Sequence, residues 1–273
     1  MRPILITSPR TGSNIVCDKL FNIARDNFSY TNNLYEFFNI NKIVQSLYSI
    51  ENNEIICNLN VRVYTKWYQN KYELQIDRLN LLKKTHGNYM IKLLSLDVMD
   101  EVLEYIFSNY DPIFLERKDK INQFCSWLVL YTAQRKAHNM RMRPLNEVSQ
   151  LNYKKDYLTD FIFILQEYDR IKALHKSIFL TKYNERHYEE TMRRITLFYE
   201  DIKYDVSEIR LANYLNLRCN NLKNYIDYFL PTPYAEAETL EDLIDNQDEW
   251  QKDKPLLLDY QNVNLKNYQA RFI

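Results

Sequence analysis

Residues 1–18 read MRPILITSPRTGSNIVCD, and this stretch decides how we interpret the rest of the chain. Residues 4–6 are a short apolar run, Ile-Leu-Ile, of the kind that a buried parallel strand shows. Residues 8–13 contain one proline and one glycine and predict a tight turn. From Asn14 onward the apolar residues recur at helical spacing. The stretch therefore predicts a strand, a loop and a helix in immediate succession.

A strand, a loop and a helix N-terminus together predict a site for an anion. The free backbone N–H groups of the loop and of the first helical turn point towards one spot, and the helix dipole favours negative charge there. Arg10 adds a planar set of charged donors, and Thr11 and Ser13 add hydroxyl groups. Gly12 is one of only two glycines in the chain, which indicates a backbone requirement at this position. The alternative is an ordinary turn with a surface arginine.

Composition limits the classes of protein to which this chain can belong. With 273 residues, of which 46% are hydrophobic, it suits one large α/β domain, or one such domain with a helical insertion. Thirty-six basic and thirty-six acidic residues cancel, so no overall charge attracts the protein to nucleic acid or to a membrane surface. Any anion site must therefore be local.

The cysteines and the apolar runs predict the compartment. The four cysteines are far apart and form no C-x-x-C pair, which argues against zinc and favours reduced thiols (Cys17, Cys57, Cys125 and Cys219). No apolar run approaches the roughly 18 residues of a membrane span, and no signal-peptide pattern is present. We expect a cytoplasmic protein without a membrane span.

A second strand–turn–helix pattern occupies residues 112–127, PIFLERKDKINQFCSW. Asp119 is a good N-cap for the helix, and Arg117 stands at the end of the strand. Ser126 follows Asp119 by seven residues, or two helical turns, so it is expected on the same side of the helix as the cap. Arg117 and Ser126 are therefore predicted to converge on one phosphate group. The alternative is a basic turn with a small serine in the core.

Glu36 is the candidate general base. It stands among aromatic residues in the segment Tyr35–Phe38, and aromatic neighbours that desolvate a carboxyl group raise its pKa towards the range that a base needs. The alternative is a surface glutamate on a loop beside core aromatics. The four histidines are dispersed and form no recognisable pair of ligands (His86, His138, His175 and His187).

The remaining segments give coarser predictions. We predict helices near residues 39–50 and 69–85, a strand at 89–94, a helix or helix pair over 151–185 and a strand over 193–198. Glu200 and Asp201 follow that last strand and are interpreted as structural carboxylates. Between Glu236 and Asp253 there are eight acidic residues against one lysine, which indicates a solvated helix or tail.

Four of these segments together resemble the sulfotransferases that use 3′-phosphoadenosine 5′-phosphosulfate (PAPS). Pro9–Ser13 resembles their 5′-phosphosulfate loop, and Arg117 with Ser126 resembles their 3′-phosphate motif. Tyr35–Phe38 resembles a segment of the bacterial enzymes that sulfate trehalose-like glycans, in which the glutamate is the proposed base. Tyr199–Ile202 resembles a Tyr-Glu-Asp-Leu segment that is common in the family.

The resemblance implies a fold and a division of the chain. The implied fold is α/β, a three-layer α/β/α sandwich with a central parallel sheet, P-loop-like, of the sulfotransferase type and with additional helices. Residues 1–230 would form the sulfotransferase domain. Residues 231–273 would be an acidic C-terminal extension, packed on that domain or trailing from it.

The resemblance also implies an enzyme, a donor and a set of roles. A sulfuryl group would pass from PAPS to a hydroxyl group, on a carbohydrate or another small-molecule acceptor, without a metal, leaving 3′-phosphoadenosine 5′-phosphate (PAP). Glu36 would accept the proton of the hydroxyl, and Arg10 would neutralise charge on the leaving phosphate. The loop residues Pro9, Arg10, Thr11, Gly12, Ser13 and Asn14 would hold the 5′-phosphosulfate, and Arg117 and Ser126 the 3′-phosphate.

The chain departs from the family in two places, and other functions stay open. Leu93 follows Lys92 where cytosolic sulfotransferases have a catalytic histidine, and no Arg-Lys-Gly triplet occurs near the C-terminus. A nucleotide or sugar kinase of the P-loop type would need G-x-x-x-x-G-K-[ST], which is absent. A non-catalytic nucleotide-binding module would keep Arg117 and Ser126 but would need no base.

Overall fold

The structure is a computed structural model, and it describes residues 2–9, 11, 13–28, 30–38, 44–64, 71–85, 87–95, 98–136, 150–202 and 240–269. Its strands are β1 (Pro3–Thr7), β2 (Tyr30–Tyr35), β3 (Val44–Glu51), β4 (Glu54–Tyr64), β5 (Asn88–Leu94), β6 (Asp111–Glu116) and β7 (Thr196–Phe198). Its helices are α1 (Ser13–Phe28), α2 (Lys71–Lys84), α3 (Asp100–Asn109), α4 (Lys120–Lys136), α5 (Lys155–Leu180), α6 (Glu185–Ile195), α7 (Tyr199–Ile202) and α8 (Gln247–Gln269). A short 3₁₀ helix, Leu240–Leu243, precedes α8.

A five-stranded parallel sheet in the order β2-β5-β1-β6-β7 forms the centre of the fold. All five residues of β1 are buried, as expected of a strand that has a neighbour on each side and helices on each face. Leu5 of β1 is in register with Lys92 of β5 on one side and with Ile113 of β6 on the other. The predicted α/β fold with a central parallel sheet is therefore confirmed.

Helices cover the sheet on both faces. The helix α1 lies against β1, β2 and β5 and buries Val16, Cys17 and Leu20. A separate core cluster joins Ile4 and Ile6 of β1 to apolar residues of α2, α3, α5 and α6. Because successive side chains of a strand point to opposite faces, one short apolar strand can supply both layers.

The connections of the sheet change direction between β1 and β6. β1 is followed by a connection to β2, on one side of it in the sheet, whereas β6 is followed by a connection to β7, on the other side. Where two adjacent parallel strands lead in opposite directions, a crevice opens outside their carboxyl ends, and ligands of open α/β sheets bind there. In this chain that place is the carboxyl ends of β1 and β6.

The helix predicted near residues 39–50 is wrong where the structure describes it. Residues 44–51 are β3, which pairs antiparallel with β4. The turn between them is Asn52-Asn53, with φ of 51° and 63°. Asparagine tolerates the left-handed conformation that a two-residue hairpin turn requires, so this dipeptide selects the hairpin.

Three other predictions of secondary structure have different outcomes. The helix predicted at 69–85 is confirmed as α2, and the helix predicted within 151–185 is confirmed as α5. The strand predicted over 193–198 is too long, because α6 continues to Ile195 and β7 has only three residues. Met192 and Ile195 bury their side chains from α6 in the main core, and this packing extends the helix into the predicted strand.

The C-terminal segment packs on α4 and α5 over residues 240–269. Trp250 of α8 is fully buried and stacks on Phe124 of α4, with ring centroids 5.4 Å apart. Glu241 accepts hydrogen bonds from Trp250 Nε1 at 2.7 Å and from Lys254 Nζ at 2.6 Å. Glu241 of this acidic segment therefore has partners within the protein. Among the helices that the structure describes, none combines the length and the hydropathy that a membrane crossing requires.

His175 is a buried histidine whose titration makes the stability of the core depend on pH. It lies in α5 among the rings of Phe107, Phe114 and Tyr188, and its Nδ1 has no hydrogen-bond partner within the described part of the chain. Burial lowers the pKa of His175 from 6.5 to about 4. Between pH 6.5 and pH 4 this histidine is therefore protonated in the unfolded chain and neutral in the native protein. The free energy of unfolding falls by up to about 3 kcal/mol as the pH approaches 4.

We expect His175→Phe to remove this part of the pH dependence. The measurement is urea unfolding between pH 7 and pH 4, with the exposed His187→Gln as the matched control. The wild type and His187→Gln should lose stability together towards pH 4, and His175→Phe should lose less. Parallel curves for all three proteins would contradict a neutral, buried His175.

Candidate functional site

The loop after β1 is held together by its own hydroxyl groups. The hydroxyl of Thr7 lies 2.9 Å from the carbonyl oxygen of Ser8 and 3.2 Å from that of Leu115 in β6. Thr11 Oγ1 is hydrogen-bonded to Thr7 Oγ1 and donates to the carbonyl oxygen of Ser8 at 3.1 Å. Both threonines are fully buried. Thr11 therefore shapes the loop from inside. Its role as a hydroxyl donor to a ligand stays a prediction.

A side-chain amide of α4 joins this loop to the end of β6. Nε2 of Gln123 donates to Ser8 Oγ at 2.8 Å and to the carbonyl oxygen of Pro9 at 2.7 Å. Gln123 is fully buried, so both hydrogen bonds are shielded from water. The two strand–turn–helix segments that the sequence analysis treated separately are thus in direct contact.

Lys120, the first residue of α4, lies beside this amide. Its Nζ donates to Oε1 of Gln123 at 3.3 Å, and its side chain is buried. Burial lowers the pKa of Lys120, and the charge of Glu116 acts in the opposite direction. Glu116 itself forms an ion pair with Lys172 of α5, with Nζ and Oε1 2.6 Å apart. Lys120 and Lys172 therefore both lie near Glu116, at the carboxyl end of β6.

The predicted N-cap of α4 is confirmed. Oδ1 of Asp119 accepts a hydrogen bond from the backbone N–H of Asn122 at 2.9 Å. Glu200, which follows β7, accepts from the backbone N–H groups of Lys118 at 2.9 Å and of Asp119 at 3.1 Å. Glu200 thus fixes the turn after β6, as the interpretation of a structural carboxylate requires.

Arg117 and Ser126 both belong to this segment. Arg117 follows β6, its guanidinium lies over the ring of Tyr199 at 5.1 Å, and its Nε is 3.8 Å from Glu200. Ser126 lies two turns into α4 and is buried. Arg117 is therefore oriented by an aromatic face and a carboxylate, and a phosphate bound there would share it with Glu200.

Glu36 follows β2 directly and contacts a buried lysine. Nζ of Lys92 in β5 lies 2.6 Å from Oε1 of Glu36, and the side chains are 2% and 39% exposed. Phe37 and Phe38 are buried beside the carboxylate. The sequence analysis expected aromatic desolvation of Glu36 and missed its cationic partner.

Cys17 of α1 lies close to this ion pair. Its thiol is 3.5 Å from Oδ1 of Asn33, and burial raises its pKa to about 12, with the charge of Lys92 opposing the shift. Asn33 in turn donates to Asp18 at 3.2 Å. Since the thiol stays protonated, Cys17 is a packing residue and supplies no charge to the pair.

Several predicted site residues lie outside the described part of the chain. Arg10 and Gly12 are among them, as are the side chain of Asn14 and the alternative base His86. Pro9 and Ser13 are described, Pro9 as an acceptor for Gln123 and Ser13 as the buried first residue of α1. Within the described ranges, no three His, Cys, Asp or Glu side chains are grouped closely enough to hold a metal ion.

The structure adds three residues to the candidate site, and the sequence carried a signal for two of them. Lys92 is a charged residue within an otherwise apolar strand, and such a residue needs a buried partner. Gln123 is a polar residue among the core positions of α4. Lys120 stands in a run of alternating charge, Glu-Arg-Lys-Asp-Lys, that does not distinguish one buried lysine from its neighbours.

The contact through Gln123 can be tested by substitution. Gln123→Leu removes both donors and leaves the carbonyl oxygen of Pro9 and the hydroxyl of Ser8 without this partner, and a buried group that loses its partner costs about 1–3 kcal/mol. We expect urea unfolding to show a loss of this size and amide exchange to become faster in peptides that cover residues 5–16. Gln251→Leu, an exposed change on α8, should stay within about 0.5 kcal/mol of the wild type. Unchanged exchange in residues 5–16 would show that the loop does not depend on Gln123.

Comparison of the chain with models of protein families, with curated proteins and with solved structures gives no match. Its chemistry therefore has to be judged from its own residues.

Proposed function

We propose that the chain is a PAPS-dependent sulfotransferase that transfers a sulfuryl group to a hydroxyl group, with a carbohydrate as the acceptor class. The nucleotide would bind at the carboxyl ends of β1 and β6, with its 5′-phosphosulfate on the loop of Pro9–Ser13. Its 3′-phosphate would bind at Arg117 and Ser126. In this proposal the α/β fold is a P-loop-like sulfotransferase domain.

One observation carries the proposal. The loop after β1 and the start of α4 are joined by the two hydrogen bonds of Gln123, at the place where the connections of the sheet change direction. Each of the two segments is a strand that leads through a turn into a helix N-terminus, a geometry that favours an anion. A donor with phosphate groups at both its 3′ and its 5′ positions suits two such segments in contact, whereas a nucleotide with a single phosphate group, such as AMP, would use one.

The chemistry then needs little beyond position and charge. The acceptor oxygen attacks the sulfur, the bond from the sulfur to the bridging phosphate oxygen breaks, and PAP leaves with the electron pair. Arg10 would neutralise the charge that grows on the leaving phosphate. Glu36 would take the proton of the acceptor hydroxyl and release it to water. Group transfer of this kind depends chiefly on alignment and on charge stabilisation, as phosphoryl transfer does.

Ligand-dependent stability tests the donor. PAP at 100 times its dissociation constant should raise the free energy of unfolding by about 2.7 kcal/mol, and AMP, ATP and NAD at the same concentration should raise it less. Arg117→Ala should abolish the preference of PAP over AMP. Arg186→Ala, a change at an exposed arginine of α6, is the control and should keep that preference. The measurement is thermal unfolding with each nucleotide in turn.

Equal stabilisation by AMP and PAP would remove the 3′-phosphate role of Arg117 and Ser126. A stronger effect of ATP that requires Mg²⁺ would favour the nucleotide or sugar kinase. Stabilisation by PAP without any transfer of the sulfuryl group to a panel of sugars would favour a non-catalytic nucleotide-binding module.

Glu36→Gln tests the base. The substitution keeps the shape of the side chain and removes its basicity, so PAP should stabilise the variant as it does the wild type while kcat falls by about 10²–10⁴-fold. The acidic limb of the pH–rate profile should disappear. Glu104→Gln, a change at an exposed glutamate of α3, should leave kcat unchanged. If Glu36→Gln keeps most of the activity, the base is another residue, and His86 is the next to test.

A further inference from the structure

Lys92 is a basic side chain in the middle of the sheet. It belongs to β5, is in register with Leu5 of the central strand, and is only 2% exposed. Its neighbours Ile91 and Leu93 point to the opposite face of the sheet, into the main core cluster. A buried ammonium group is costly unless a carboxylate and hydrogen bonds compensate its charge. Lys92 therefore needs a partner that offsets the free-energy cost of burial.

The partner is Glu36, which approaches from the neighbouring strand. Tyr35, the last residue of β2, is in register with Ile91, so the residue after β2 reaches the level of Lys92. The distance from Nζ to Oε1 is 2.6 Å, the length of a strong charge-assisted hydrogen bond. The two side chains differ in exposure, since the lysine is buried and the glutamate is 39% exposed. The lysine thus contacts the carboxylate from the buried side, at the edge of the sheet where the strands end.

Other polar groups that the structure describes near the pair have different partners. From α1, the Cys17 thiol is protonated, and Asp18 accepts a hydrogen bond from Asn33 of β2. Of the acidic groups that face this part of the sheet, Glu36 is the one that forms an ion pair with Lys92 within the described residues. The ion pair therefore joins Lys92 to the carboxylate that the sequence analysis selected as the base.

We propose that Lys92 is the positioning residue of Glu36, holding Oε1 so that Oε2 accepts the proton of the acceptor hydroxyl. This inference rests on the proposed function. A carboxylate on a segment that follows a strand has two or more rotatable side-chain bonds, and a fixed charge under one oxygen removes much of that freedom. A misplacement of about 1 Å can cost about 10²-fold in rate, so an anchor of this kind matters even though it does not touch the substrate.

The experiment compares five variants in one transfer assay. Lys92→Met keeps the length of the side chain and removes its charge, and Lys92→Arg keeps the charge. Glu36→Gln and the double variant Lys92→Met/Glu36→Gln show whether the lysine acts through the glutamate. Lys254→Met is the control, because Lys254 also forms a 2.6 Å ion pair, with Glu241, in the C-terminal segment. Stabilisation by PAP is measured for every variant, since it reports the nucleotide site independently of the base.

We expect Lys92→Met to lower kcat by about 10–100-fold with stabilisation by PAP unchanged. Its acidic limb should move to higher pH, because the ammonium that stabilises the ionised carboxylate is gone. In the Glu36→Gln background the same change should cost less than about 3-fold, since residues that act as a unit are not additive. Lys92→Arg should stay within about 10-fold of the wild type and keep the wild-type acidic limb. Lys254→Met should match the wild type.

Four outcomes would overturn the inference. A kcat of Lys92→Met within about 2-fold of the wild type would show that the anchor is dispensable, and an equal loss in the Glu36→Gln background would show that Lys92 acts separately. If Lys92→Met does not fold, Lys92→Arg decides, and an acidic limb displaced in that variant counts against the role. A wild type with neither transfer nor stabilisation by PAP would refute the proposed function, and the role of Lys92 with it.

Discussion

The pairing of β1 with β5 on one side and β6 on the other is the constraint on which the rest of the structure depends. Because Leu5 is in register with both Lys92 and Ile113, the carboxyl ends of these strands lie at one edge of the sheet. Gln123 of α4, the helix that follows β6, can then reach the loop after β1, while Glu36 reaches the strand that carries Lys92. A register shift of one residue would turn Lys92 towards the opposite face and separate these groups.

Charge in this protein is organised locally. The chain has no net charge, yet it buries Lys92 and Lys120 close to the carboxyl ends of three adjacent strands. Each has a different environment, since Lys92 pairs with Glu36, whereas burial lowers the pKa of Lys120 beside an uncharged amide. A low-dielectric setting strengthens electrostatic interactions, so a local field can act on an anion without a basic surface.

The sequence predicted those parts of the site that depend on local order along the chain. The strand, loop and helix of residues 3–28 and the cap at Asp119 follow from short-range patterns, and both were found. The hairpin at residues 44–64 was missed because its signal, Asn52-Asn53, lies in a segment with mixed apolar spacing. The pairs Gln123–Ser8 and Lys92–Glu36 span 115 and 56 residues, and only the strand order brings them together. No local pattern contains that information.

The stacking of Trp250 on Phe124 has a consequence for the order in which the protein is made. The helix that carries Gln123 presents Phe124 and Trp127 to a core completed by Leu240, Trp250 and Leu257. While the chain emerges from the ribosome, the strands of the sheet are available long before these last residues. The helix that carries Gln123 therefore reaches its final packing only when residues 240–257 have been synthesised, and a nascent chain short of them exposes an aromatic surface on that helix.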